Sequence, residues 1–264
     1  MTQPLPPDFM PWEAEEIAPP PRRKLKPGIK TALLCLVVLA VLAVFVFGSL
    51  FRIRTVTIYG NERFTPEQVM ENAGVTYGIS YFSVTEEYIR EHISRNHYLI
   101  YRGMEKKIPG ILNIYVEERH ERANIYVMGI NYLMDEEGMV LKRNADGLQE
   151  SLLAVTGMQT RSVTEGKIIV PGNEGQLKAY QALMTELLAQ GYDGQVAELK
   201  VSDPEKLYLL TRDGYTVELG DAQNLRAKVG TARAVVEKLK AMGYQGGVID
   251  ASIPAIATYT PAEQ

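Results

Sequence analysis

The chain has 264 residues and a net charge of −4, from 28 Lys and Arg against 32 Asp and Glu. This weak acidity argues against nucleic acid as the main partner, because no excess of cations is present to neutralise phosphates. A single cysteine and three histidines exclude an intrachain disulfide framework and a cysteine-rich zinc module.

Residues 1–30 are predicted to form a disordered tail. Eight of the 14 prolines lie within residues 1–27, and proline interrupts helices and favours an extended chain. The segment also has few large apolar residues that could offset the entropy of ordering. A short partner-binding motif around Trp12 is the alternative to a plain solvated tail.

A long apolar run follows, from Thr31 to Phe51, with no charge in 21 residues. At about 1.5 Å per residue, one helix of this length spans the roughly 30 Å hydrocarbon layer of a bilayer. A cleaved signal peptide, the alternative, has a shorter apolar region of about 7–15 residues. Five cations closely precede the run and two follow it, which predicts a cytoplasmic amino terminus and an exterior remainder. These cations are Arg22, Arg23, Lys24, Lys26 and Lys30, then Arg52 and Arg54.

The segment 52–119 has the pattern strand–helix–helix–strand–strand. Thr65 and Gln68 form a capping box at the start of the first helix, and Gly74 follows its end. The last strand is predicted to turn Leu112, Ile114 and Val116 inward, with Asn113 and Tyr115 outward. A three-stranded sheet covered by two helices buries both sets of apolar faces.

From residue 120 onward the pattern is mixed α+β and richer in strands. Its predicted elements are two strands within 125–143 joined by a turn at 135–138, a short strand at 152–158, helices over 176–190 and 224–242, a hairpin turning at Asp213-Gly214, and an extended segment at 246–261.

Two motifs frame the segment 52–119. The opening motif is Ile53, Val56, Ile58, Gly60 and Asn61, followed by Thr65-Pro66-Glu67; the closing motif is Pro109, Leu112, Ile114, Val116, Glu118 and Arg119. Together with the tail and the span, these motifs resemble the FtsQ/DivIB family of bacterial division proteins. The chain departs from the family at Ile108 and at Ala251-Ser252.

The resemblance implies a domain organisation and a function. The transmembrane helix would be followed by a POTRA domain over 52–119, a β domain over 120–260 and a short tail at 261–264. The protein would be a non-enzymatic scaffold at the division septum, binding division proteins of the FtsB/DivIC and FtsL types, with septal wall-synthesis proteins as further candidate partners. Glu118 and Arg119 would form an ion-paired junction between the two domains.

The C-terminal segment is the predicted partner-binding site. Pro254 interrupts a strand-like run, and because proline cannot donate to a ladder, the strand belongs at a sheet edge or a bulge. A protected edge and an edge that accepts a partner strand are equally consistent with the residues, and the resemblance favours strand addition. The residues concerned are Val248, Ile249, Asp250, Ala251, Ser252, Ile256, Ala257 and Tyr259.

Catalytic and metal-binding motifs are not found, so no cofactor is expected. His92, His97 and His120 are interpreted as surface histidines. Two other functions stay open: a POTRA-bearing component of export or envelope assembly, and an exterior cell-wall enzyme. The aromatic residues of Tyr77-Gly78 and Tyr81-Phe82 are either an exposed patch or part of the core between the two small helices.

The predicted topology can be tested directly. A reporter that is active only outside the membrane, fused after Gly60, is expected to be active. The full-length chain is expected to stay in the membrane fraction after alkaline washing. Release of a shortened protein would instead identify the apolar run as a cleaved signal.

Overall fold

The computed structural model describes residues 27–262. The predicted tail over 1–30 therefore lies mostly outside the described residues, as do the last two residues of the predicted C-terminal tail. Helix α1, Pro27–Leu50, begins before the predicted boundary, because proline is tolerated in the first turn of a helix.

Helix α1 is a unit by itself, separate from the compact unit formed by residues 51–264. Its described apolar side chains are exposed, with Leu36 at 66% and Leu39 at 66%. Among the helices of residues 27–262, none meets the combined requirements of length and hydropathy for crossing a bilayer. The transmembrane assignment of residues 31–51 stays a prediction.

The first domain has the predicted order strand–helix–helix–strand–strand. Its elements are β1 (Thr55–Tyr59), α2 (Pro66–Asn72), α3 (Glu86–Ile93), β2 (Leu99–Lys107) and β3 (Ile111–Glu118). The sheet order is β1-β3-β2, with β1 parallel and β2 antiparallel to β3. The capping box of Thr65 and Gln68 is present at the start of α2.

The core of the first domain lies between this sheet and its two helices. Leu112 and Ile114 of β3 are fully buried there, as predicted, against Ile89 and Ile93 of α3. Asn113 lies on the opposite face but is only 7% exposed, so the prediction that it faces solvent is wrong. It is buried because β3 is the central strand, where its amide donates to Glu105 at 3.2 Å.

The second domain is built on one nine-stranded sheet of order β14-β13-β12-β11-β10-β7-β4-β5-β6. The elements up to the first long helix are β4 (Ala123–Val127), β5 (Ile130–Met134), β6 (Val140–Asn144), β7 (Leu153–Thr156), β8 (Thr160–Ser162), β9 (Val170–Pro171) and α4 (Glu174–Ala189). The later ones are β10 (Val196–Asp203), β11 (Lys206–Thr211), β12 (Tyr215–Gly220), α5 (Leu225–Ala241), β13 (Gly247–Asp250) and β14 (Thr258–Thr260).

Helices α4 and α5 pack on one face of this sheet. Alternate residues such as Leu207 and Leu209 of β11 are buried with Leu183 of α4 and Val229 of α5 in one cluster. The intervening residues, such as Tyr208, lie on the other face and are partly exposed. The helices, the hairpin at Asp213-Gly214 and the buried strand β7 agree with the sequence predictions.

Residues 125–143 form three strands, so the prediction of two strands there is wrong. Met128 and Gly129 turn the chain between β4 and β5, both with positive φ, at 50° and 85°. A methionine rarely takes the left-handed conformation, so the turn has no sequence signal of the usual type. Strand β10, which was not predicted, pairs with β7 and β11 in the middle of the sheet.

Candidate partner-binding edge

The C-terminal segment is a hairpin of two strands instead of one interrupted strand. Pro254 begins a 3-10 turn, Pro254–Ile256, that connects β13 to β14. Proline is favoured at such a position because its fixed φ suits the start of a helical turn and because no N–H is needed there. The proline therefore lies in the connection that follows β13, and only β14 lies at the edge of the sheet.

The first four residues of the predicted binding site lie inside the sheet. Val248, Ile249 and Asp250 pair with β12 on one side and with β14 on the other. Ala251 is fully buried, and its N–H donates to the Glu218 carbonyl at 2.9 Å. Their backbone groups are therefore used within the domain, which corrects the expectation that a partner strand pairs with them.

The register of the hairpin determines which groups of β14 point outward. Ile249 lies opposite Tyr259, and the flanking pairs join Val248 to Thr260 and Asp250 to Thr258. Because the Ala251 N–H points to β12, alternate residues of β13 bond to β12 and the others bond to β14. Thr258 and Thr260 therefore bond to β13, and the N–H and C=O of Tyr259 point away from the sheet.

The side chains around this edge differ in exposure. The Tyr259 hydroxyl donates to the Gly246 carbonyl at 2.9 Å, and its ring lies 5.7 Å from that of Tyr244, so it packs against its own domain. Ile256 and Ile253 are exposed at 67% and 56% and provide an apolar surface beside β14. Ala257 is half-buried at the end of the turn.

Asp250 and Ser252 stabilise the start of the connection between the two strands. The Asp250 carboxylate accepts from the Ser252 hydroxyl at 2.6 Å and from the Ser252 N–H at 2.9 Å. These two bonds, the hydroxyl first, hold the pKa of Asp250 below its usual value. Asp250 and Ser252 therefore bond to each other within the hairpin.

The opposite edge of the sheet, β6, is covered by the chain. The Val140 N–H donates to the Lys167 carbonyl at 3.0 Å, and the Gly166 N–H donates to the Val140 carbonyl at 2.8 Å. The Glu165 carboxylate also accepts from the Arg143 N–H at 2.8 Å. Residues 27–262 provide no comparable cover for the outward groups of Tyr259, so β14 is the open edge.

The junction between the domains begins at Glu118, whose side chain is fully buried. Its two carboxylate oxygens accept three backbone N–H groups, from Glu62 at 2.7 Å, Arg63 at 2.9 Å and Phe64 at 2.9 Å. Burial by itself raises the pKa of Glu118, but the three N–H bonds and the Arg63 charge outweigh it, so the pKa is lowered. The carboxylate thereby closes the loop after β1.

Arg119 connects the first domain to the second. Its guanidinium donates to Asp135 and, at 2.9 Å, to Glu137, and its carbonyl accepts from Arg63 at 2.9 Å. Burial lowers the pKa of Arg119, yet the bonds to Glu137 and Asp135 outweigh burial and raise it. Arg119 is therefore ion-paired across this boundary, whereas the partners of Glu118 all lie in the first domain.

One of the three histidines makes a contact within the first domain, and the other two make contacts between the domains. His92 Nδ1 lies 2.7 Å from the Tyr88 carbonyl, His97 packs against Gly166, and His120 Nε2 lies 3.4 Å from a Glu62 carboxylate oxygen. In the part of the chain from 27 to 262, no group of three or more His, Cys, Asp or Glu side chains could hold a metal ion.

Comparisons with known proteins match both domains. A family model described as POTRA domain, FtsQ-type matches residues 51–119, and one described as cell division protein FtsQ/DivIB, C-terminal matches residues 125–252. Cell division protein FtsQ of Anaeromyxobacter sp. (strain K) is 25% identical over 205 residues, covering 76% of this chain and 68% of the relative. Cell division protein DivIB of Bacillus anthracis is 24% identical over 215 residues, covering 78% and 73%.

Among solved structures, the major extracytoplasmic domain of the cell division protein DivIB from Geobacillus stearothermophilus matches in part. The match covers 42% of this chain and 82% of that chain, with 15% identity and a TM-score of 0.27.

The role of Glu118 can be tested in the fragment 51–264. Glu118→Gln is expected to lower the free energy of unfolding at pH 7 by about 2–3 kcal/mol, because a charged acceptor of three N–H groups is lost. Since the folded-state pKa is lowered, this stabilisation is complete above the unfolded pKa of about 4.3 and is lost as pH falls through the folded value. The difference between the two proteins should therefore shrink on acidification.

Urea unfolding across this pH range measures the effect. Glu117→Gln is the matched control, because Glu117 is exposed and pairs with Arg102 on the surface; its cost is expected to be below about 1 kcal/mol. Equal costs for the two variants would contradict the assigned role of Glu118.

Proposed function

Because the chain belongs to the FtsQ/DivIB family of bacterial cell-division proteins, we propose that it is a non-enzymatic, membrane-anchored scaffold of the division complex. It recruits single-span division proteins of the FtsB/DivIC and FtsL types and positions them for septum assembly. The observation that carries this proposal is the open ladder of β14, with the outward N–H and C=O of Tyr259.

The anchor is the helix over residues 31–51, with the amino terminus in the cytoplasm and both domains outside, at the septum. The 21 uncharged residues and the cations before them support this topology. The exposed apolar side chains of α1 support it as well, because a continuous apolar surface of this size needs an apolar environment.

The partner adds a strand to β14. Each backbone bond to the edge contributes a net of about 0.5–1.5 kcal/mol, so two or three bonds change affinity by tenfold or more. Ile256 and Ile253 supply apolar contacts beside the ladder. In this arrangement Ile256, Ala257 and Tyr259 meet the partner, and residues 248–252 support them from the inner strand.

The first domain also has an exposed edge, β2, but this strand is protected. It has a bulge between Tyr101 and Gly103, and it carries Arg102, Lys106 and Lys107. Bulges and charged side chains on an edge disfavour pairing with another chain. In contrast, β14 is uncharged and regular over its three residues, and Pro261 limits its length.

The alternative of an export or envelope component is less well supported. It rests on the POTRA match over residues 51–119 alone, whereas the match to the FtsQ/DivIB C-terminal model extends over 125–252. The alternative of a wall enzyme has no motif in the sequence to support it.

Two substitutions at one position separate backbone pairing from side-chain contact. Tyr259→Ala removes the ring and keeps the outward N–H, while Tyr259→Pro removes both. Proline is compatible with an edge strand when its missing N–H faces outward. We expect Tyr259→Pro to bind a DivIC-type partner about tenfold more weakly than Tyr259→Ala does, because a ladder bond is lost and the proline ring blocks the edge.

Titration of the fragment 51–264 with the partner measures this ratio, and circular dichroism confirms that both variants are folded. Equal affinity of the alanine and proline variants would contradict strand addition at β14.

A further inference from the structure

An aromatic cluster lies at the end of the first domain where the chain leaves α1. The ring of Phe51 is 5.1 Å from that of Phe82 and 6.2 Å from that of Tyr81. Phe82 is 67% exposed and Tyr77 is 64% exposed, so these two residues do not belong to the core between the helices. Ile108, in the turn between β2 and β3, is 68% exposed.

The topology of the sheet brings these residues together. Strands β1 and β3 are parallel, and both begin at this end of the sheet. Strand β2 is antiparallel to β3 and ends here. The loop 76–83 is held against residues 51–53 by backbone bonds. These bonds run from the Ile53 N–H to the Ile79 carbonyl at 2.9 Å, from the Gly78 N–H to the Ile53 carbonyl at 2.7 Å, and from the Tyr81 N–H to the Phe51 carbonyl at 2.9 Å.

The same end of the domain is cationic. Residues 51–54, 76–83 and 106–111 contain Arg52, Arg54, Lys106 and Lys107 and no Asp or Glu. Glu105, next to this range, pairs with Lys107 at 3.3 Å. Lys106 Nζ donates to the Tyr81 carbonyl at 2.8 Å and lies 4.8 Å from the centre of its ring. Arg52 donates to the Gly78 carbonyl at 3.1 Å. Cations and aromatic rings are therefore interleaved on one surface, here called the aromatic–cationic face and comprising Phe51, Arg52, Tyr77, Phe82, Lys106 and Ile108.

We propose that the aromatic–cationic face docks on the anionic lipid surface from which the chain emerges. The inference rests on the proposed anchor, because Phe51 is both the last residue of the predicted span and a member of the face. The face therefore begins where the chain leaves the bilayer. Aromatic side chains favour the membrane–water interface, and cations favour anionic headgroups, so this composition is complementary to that surface.

Docking would restrict the orientation of the first domain relative to the membrane. The domain would be held by the chain at Phe51 and by the rings and cations around it. A lipid contact of this kind is reversible, because a few aromatic and basic side chains bind more weakly than an inserted helix does.

Tryptophan fluorescence of the fragment 51–264 tests the proposal without the anchor. The fragment forms a compact unit by itself, and the only tryptophan of the chain, Trp12, lies outside it. In Phe82→Trp the introduced ring reports on the face. With millimolar lipid in vesicles of phosphatidylglycerol and phosphatidylcholine, we expect a blue shift of the emission and quenching by brominated acyl chains, and a much smaller response with phosphatidylcholine alone.

Three further variants refine this test. Tyr126→Trp is the matched control, because Tyr126 is equally exposed at 67% but lies in β4 of the second domain; its emission should not change. In the Phe82→Trp background, Tyr77→Ser and Arg52→Gln should each weaken vesicle binding about fivefold.

Unchanged emission of Phe82→Trp with anionic vesicles would overturn the proposal, as would an equal response from Tyr126→Trp. A shift that occurs only on addition of a division partner would identify the face as a protein-binding surface and would also overturn it. Because the fragment lacks most of the predicted span, these outcomes are independent of whether the chain is anchored. If the fragment binds a partner but does not bind vesicles, lipid docking is wrong and the proposed scaffold function still stands.

Discussion

The proposed function depends on the backbone N–H and C=O groups at one edge of the nine-stranded sheet, which form no ladder with a further strand within residues 27–262. A buried N–H or C=O group must be paired, and each inner strand of the sheet achieves this with its two neighbours. At one edge, residues 165–169 complete the pairing of β6. At the other edge, the only strand within residues 27–262 that bonds to β14 is β13, so the Tyr259 N–H and C=O are available to water or to another strand. The proposed scaffold role needs such a site, and β14 provides an edge of this kind.

The junction at Glu118 and Arg119 determines how this edge is presented relative to the first domain. Glu118 satisfies three N–H groups of the loop 62–64, and Arg119 bonds to Asp135 and Glu137 of the second domain. Both side chains are shielded from water, so replacing one would leave its partners unpaired. At the end of β3, one residue therefore closes a loop of the first domain and the next one bonds to the second domain.

Where a local sequence signal determines the end of an element, the element was predicted correctly. Thr65 and Gln68 form the predicted capping box, and Asp213-Gly214 forms the predicted hairpin turn. The sequence did not predict β10, because a bulge between Val196 and Glu198 interrupts the alternation of its apolar residues. It did not predict the Met128 turn either, because methionine rarely adopts positive φ. An edge strand was predicted in the right segment, but the segment forms two strands, and only the second one, β14, lies at the edge. Which amides of residues 247–260 point outward depends on pairing with the distant strand β12, and no local pattern contains that information.

Amide hydrogen exchange of the fragment 51–264, with and without a DivIC-type partner, tests strand addition most directly. In the free fragment the Tyr259 amide should exchange rapidly, while the amides of Thr258 and Thr260, which bond to β13, should be protected. Partner binding should slow exchange at Tyr259 by at least about tenfold, because a bond of about 1.4 kcal/mol changes an equilibrium tenfold. If the partner binds and the Tyr259 amide still exchanges at its free rate, the partner does not pair with β14 and the account is contradicted.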